Sequence, residues 1–241
     1  MLKDKFKSSI IYIFFILLLL SVITEGEVIF ANYRGELEAV AFDFFQSGDI
    51  NSAIVTLKDK ENSFSEKKGY DYCVFRGEME LLIGEMKQVM NKEEAEEHFA
   101  VAKDFGQKAL AEKETRLAKR IKYEGITRLF DYRSVFYILR NYRKAERLLE
   151  ELLEEKSEDK MILFLEAAYY INAPGIAGGD QDKGKELFSM LKKLENPVFK
   201  FIAFNKLFKI YQKAGNEEKA EIYIQQAEEI FPESPLVGEL F

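Results

Sequence analysis

Residues 172–188 read NAPGIAGGDQDKGKELF, and their spacing could do chemistry. Gly179 is followed after four residues by Gly184 and Lys185, most of the loop that cradles a phosphate on backbone N–H groups. The hydroxyl residue that such a loop needs next is Glu186 instead, and Asp180 and Asp182 place negative charge where an anion would sit. The segment before it, LFLEAAYYINA, has helical rather than strand character, so the context is also wrong for a nucleotide. Asp180, Asp182 and Glu186 could instead start a calcium loop, but Gly184 stands where an oxygen ligand belongs. No metal and no cofactor is expected here.

The other reactive side chains are few. His98 is the only histidine and Cys73 the only cysteine, which excludes an intrachain disulfide. His98 lies in EEAEEHFAVA, a pattern that predicts a solvated helix face, and Cys73 in YDYCVF reads as a small buried hydrophobe. A hydrolase built on His98 or on the acids of 180–186 is the alternative from another class, but no serine or cysteine stands in a pattern that would pair with His98. Glu-Glu pairs such as Glu96-Glu97 and Glu150-Glu151 alternate with Lys and Arg and predict surface ion pairs. No catalytic residue is assigned.

The elements that must position these residues are helices. The chain has 241 residues, 47% of them hydrophobic and 32% charged, enough to bury a core. All four prolines fall after residue 173, leaving a long stretch that helices can occupy without interruption. The net charge of −7 is spread over interleaved acids and bases, which excludes the concentrated basic stripe of a nucleic-acid surface.

The N-terminus predicts a targeting segment. Lys3, Lys5 and Lys7 precede an apolar run from Ile10 to Ile23, and Glu25 and Glu27 follow, placing the body outside the cytoplasm. The run is about 21 Å long as a helix, short of a hydrocarbon core of about 30 Å. Residues 1–26 therefore read as a signal peptide in preference to a retained anchor, with cleavage near Gly26 or Ala31. Membrane contact is expected only through residues 8–24, if they are kept. The expected location is the periplasm or the extracytoplasmic face of the inner membrane.

Helical repeats organise the body, 32–241. In FIAFNKLFKIYQKAGNEEKAEIYIQQAEEIFPES, Leu207, Phe208 and Tyr211 mark one helix and Gly215-Asn216 the turn. Ala220, Ile224 and Ala227 mark a second helix, and Pro232 stops it. A small residue at 220 lets two helices cross closely. Weaker copies place small residues at Ala53, Ala95, Ala145 and Gly184, with spacings of 42, 50, 39 and 36 residues up to Ala220. Phe136 and Phe188 belong to the same packing code. Ser234-Pro235 predicts a short terminal helix.

The C-terminal unit resembles the tetratricopeptide (TPR) repeat at Leu207, Tyr211, Gly215, Ala220, Ala227 and Pro232, with Phe208 where that family usually has glycine. The resemblance implies an all-α solenoid of about five irregular helix pairs, stacked as one domain, that binds a protein or peptide partner on a concave surface. Self-association is a further expectation. First helices line the concave face in that family, which makes Tyr132, Arg133, Arg140, Tyr170 and Asn172 candidate contacts. Gly178, Gly179 and Asp180 join them in a turn longer than a repeat requires. The residues Tyr170, Ala173, Pro174, Gly178, Gly179, Asp180, Lys183, Gly184 and Phe188 also resemble a pattern in exported TPR proteins, including the TatT family associated with TRAP transporters. That resemblance implies association with a solute-binding protein and a small apolar ligand. TatT-like proteins are typically lipoproteins, however, and no cysteine directly follows the apolar run here.

Overall fold

The computed structural model describes residues 36–37, 39–40, 43–44, 47–64, 68–90, 92–154, 160–173, 175, 178–193, 197–232 and 234–238. The targeting segment, Pro174 and the last three residues lie outside them. The described residues are helical, with no strand among them. From Ile50 on, the described residues form nine α-helices in order: α1 (Ile50–Phe64), α2 (Tyr70–Met90), α3 (Lys92–Glu112), α4 (Arg116–Arg128), α5 (Val135–Glu154), α6 (Lys160–Asn172), α7 (Gln181–Leu191), α8 (Pro197–Lys213) and α9 (Glu217–Ile230). No described helix is long and apolar enough to cross a membrane.

The described residues divide into two compact units, one holding α1–α5 and the other α6–α9 with the described residues between 36 and 48. In the first unit, α2 packs on α3, α3 on α4 and α4 on α5, each joined to the next by a short connection. Thr115 starts α4 by accepting the Ala118 N–H at 3.2 Å. Its hydroxyl also bonds Tyr70 of α2 at 2.6 Å, so one side chain caps one helix and ties it to another.

Glycines set how closely these helices cross. A Cβ on Gly106 of α3 would stand 2.6 Å from the Lys122 amide nitrogen of α4, and one on Gly125 of α4 would stand 2.6 Å from that of Lys103. Gly84 of α2 lies under the Phe99 ring and Gly77 under Ile121. Backbones can approach this far only where both Cβ atoms are absent or turned away.

The second unit contains two helix pairs, α6 on α7 and α8 on α9. The turn between α8 and α9 follows the sequence expectation. Gly215 takes φ +71°, the Asn216 N–H donates to the Tyr211 carbonyl at 2.9 Å and the Gly215 N–H to that of Gln212 at 3.0 Å. This is the Schellman arrangement, and Asn216 then caps α9 by accepting from the Lys219 N–H at 3.1 Å.

The small anchors are all buried: Ala53 in α1, Ala95 in α3, Ala145 in α5, Gly184 in α7, and Ala220 and Ala227 in α9. Phe188 is buried against Phe164, with ring centroids 6.0 Å apart. Tyr211 is half-buried and stacks on Tyr223 at 5.5 Å. The short terminal helix expected after Ser234 is instead a run of turns over 235–238. It still packs on α8, because Leu236 is buried and the Gly238 N–H donates to Asn205 Oδ1 at 2.7 Å. Gly238 lies beside Phe208 and Ile224, so the bulky residue at 208 forms part of the seat of this cover.

Candidate functional site

The corner between α4 and α5 gathers three of the candidate contacts. A 3-10 turn, Leu129–Asp131, extends α4, and the N–H groups of Tyr132 and Arg133 both donate to the Leu129 carbonyl, at 3.2 and 3.0 Å. The Ser134 carbonyl then receives the Tyr137 and Ile138 N–H groups, which starts α5. Tyr132 turns its ring toward Phe99, 6.0 Å away. Burial, followed by the charges of Asp131 and Glu85, pushes its phenol up to about 12. Arg133 is exposed and pairs with Glu96 at 2.5 Å.

From this corner α5 runs with two unlike faces. Ala145, Leu148, Leu149 and Leu152 are buried. The other face starts with Val135, Phe136 and Leu139, which are 67%, 83% and 51% exposed. Arg140 and Arg143 flank them in solvent. One expectation is corrected here. Phe136, expected in the packing code, stands in solvent, because α5 is one continuous helix and position 136 falls on its outer side. Arg140 lies on the same helix and is exposed.

A phenylalanine so exposed leaves most of a large apolar surface in water, and covering it would contribute about 2–3 kcal/mol. Three neighbouring apolar residues at the start of one helix, rimmed by arginines, form the kind of patch that marks a protein-binding surface.

The lengthened turn, in the other unit, holds the remaining candidates. Tyr170 and Asn172 end α6. Gly178 adopts φ +81°, and the Asp180 N–H reaches back to the Tyr170 carbonyl at 2.9 Å, closing the excursion. Asp180 caps α7, its Oδ1 accepting the N–H groups of Asp182 and Lys183, both at 3.0 Å. Lys183 hydrogen-bonds the Tyr170 hydroxyl, lies 3.9 Å from the ring centroid and pairs with Glu166 at 3.5 Å. Those bonds, the hydroxyl first, raise the Lys183 pKa.

Gly184 is needed because a Cβ there would stand 2.6 Å from Ile171 Cγ1 and 3.1 Å from the Ala167 carbonyl. The Tyr-Asp-Lys-Gly spacing is thus a closed piece of local structure. Lys185 pairs with Asp182 at 3.0 Å. Among the described residues no group of three or more His, Cys, Asp or Glu could hold a metal ion.

The sequence did not reveal a buried charge network in the first unit. His98 is half-buried, and its Nδ1 lies 2.6 Å from Glu80 Oε2. The other Glu80 oxygen pairs with Arg76 at 2.7 Å, and Arg76 pairs in turn with Glu61. Deeper in the unit, Arg120 binds Glu78 and lies 3.7 Å from Glu124, all three buried. A carboxylate orienting a histidine is half of a general-base device. Cys73 is buried, and its thiol is pushed up first by that burial and then by Glu112, the opposite of an activated nucleophile. The acids of 180–186 belong to the other compact unit.

No protein-family model, curated protein or solved structure matches the chain.

Proposed function

We propose that the chain is an exported TPR-like helical scaffold that binds a protein partner or peptide segment in the cell envelope, in the periplasm or at the outer face of the inner membrane. The single observation carrying the binding role is the exposed apolar start of α5, where Phe136 is 83% exposed on a helix whose opposite face is buried. The TPR reading draws support from the consecutive helix packing and from the small buried residue at each anchor. Export rests on the basic-then-apolar pattern of residues 1–26. The test is a photo-crosslinking residue at position 136, activated in intact cells. A discrete protein adduct is expected, and an adduct-free chain would remove the reading.

A second reading is favoured by the turn at 170–184. Its hydrogen bonds involve residues of the pattern shared with TatT-like proteins, Tyr170, Asp180 and Lys183. On this reading the scaffold serves a transporter-associated solute-binding protein and holds a small apolar ligand. Native mass spectrometry of the purified protein should then retain a lipid-like molecule, and a clean apo mass would sink the idea.

A further inference from the structure

We infer that the exposed face of α5 is covered by the same face of a second copy of this chain, the two helices running antiparallel. This rests on the reading of α5 as a protein-binding face and names its occupant. One stripe along the helix, at alternating steps of three and four residues, carries Phe136, Leu139, Arg143, Glu146, Glu150 and Leu153. That spacing is the seam of a two-helix contact. Phe136, Leu139 and Leu153 are among the exposed large apolar residues, and the buried residues of α5 lie off this stripe.

The stripe is complementary to its own reverse. Laid antiparallel about its midpoint, Phe136 meets Leu153 of the second copy, and Arg143 meets Glu146. Leu139 meets the methylenes of Glu150, whose carboxylate is then beside Arg140. Every pairing occurs twice by symmetry, as a two-fold interface requires. Basic side chains concentrate in the first half of α5 and acidic ones in the second, so the antiparallel arrangement joins opposite charges where a parallel one would stack like charges. Sliding the pair one heptad either way sets Glu146 against Glu150, or leaves Phe136 facing Glu146. The midpoint register is therefore the selected one.

The experiment uses the full chain in mild detergent with Cys73→Ser as background. The double variant Phe136→Cys with Leu153→Cys should form a disulfide-linked dimer on gentle oxidation. Either cysteine alone should not, because equivalent positions on antiparallel copies lie about 25 Å apart along the axis. Within one chain the two cysteines are equally far apart. Arg143→Glu and Glu146→Arg should each weaken dimerisation about tenfold, and the two together should restore it.

A double-cysteine chain that stays monomeric would overturn the inference, as would single cysteines that link equally well or a charge reversal that restores nothing. If the chain is monomeric while the probe at position 136 captures a different protein, the occupant is wrong but the binding role stands. If neither a dimer nor an adduct forms, both are wrong.

Discussion

Gly106 lies on the backbone of Lys122, and a methyl group on its Cα would stand 2.6 Å from that amide nitrogen. Gly125 has the same relation to Lys103 on the same pair of helices. The obstacle is main chain in both cases, so no rotamer change relieves it. Gly106→Ala and Gly125→Ala should each destabilise the fold by about 1–3 kcal/mol, despite the higher helix propensity of alanine. The loss would appear as a lower thermal midpoint in circular dichroism; an unchanged or raised midpoint would mean that the crossing can widen.

Gly184→Ala tests a softer contact. Its nearest neighbours are the Cγ1 and Cδ1 of Ile171, at 2.6 and 2.7 Å, with the Ala167 carbonyl at 3.1 Å. Adding Ile171→Val trims the Cδ1 methyl, one of those neighbours. The pair should recover part of the stability lost by Gly184→Ala alone, measured by urea unfolding. A double variant as unstable as the sum of the singles would show that the carbonyl, not the side chain, is the barrier.

Tyr132 gives a pH dependence with a definite sign. Its phenol is raised to about 12 by burial, Asp131 and Glu85, above about 10 for an unfolded tyrosine. The folded state therefore favours the protonated form. Its contribution to stability is complete below pH about 10 and is lost as the pH rises through about 12. Tyr132→Phe should flatten that part of the stability profile. Asp131→Asn should lower the pKa seen by phenolate absorbance; an upward shift would contradict the assigned cause.

Asn205 is fully buried, donates to the Phe201 carbonyl at 2.9 Å and accepts the Gly238 N–H at 2.7 Å. Asn205→Leu keeps the bulk and removes both bonds. About 1–3 kcal/mol should be lost, because the Gly238 N–H loses its acceptor. The terminal turns over 235–238 should then become sensitive to carboxypeptidase. Resistance equal to that of the parent would show that Leu236 alone holds the cover.

The helical architecture was legible because small buried residues leave a signature in one dimension: Ala95, Ala145, Gly184 and Ala220 are all buried. Gly215-Asn216 was legible for a similar reason, since the turn needs a positive φ and a cap in adjacent residues. The glycines inside α2, α3 and α4 were not, because a mid-helix glycine does not announce which backbone it will meet. The His98–Glu80 contact was not legible because Glu80 is on the preceding helix, and local periodicity sees only one helix at a time. The outward position of Phe136 was not legible, since a pattern that fits a helix ending before Ala145 changes its face when the helix runs on unbroken to Glu154. The Tyr170–Lys183 turn showed its residues in sequence but not its closure through Tyr170.

The residues that end α8 also begin α9: Asn216 donates to Tyr211 behind it and accepts from Lys219 ahead of it. With almost no loop to close, the entropy lost in bringing these two helices together is near its minimum. Their mutual contacts are also short-range along the chain, the kind that form fastest. This hairpin is thus equipped to act as the nucleus on which its unit condenses. Pulse-labelled hydrogen exchange should find its amides protected ahead of those of α6 and α7, and simultaneous protection would reject that order.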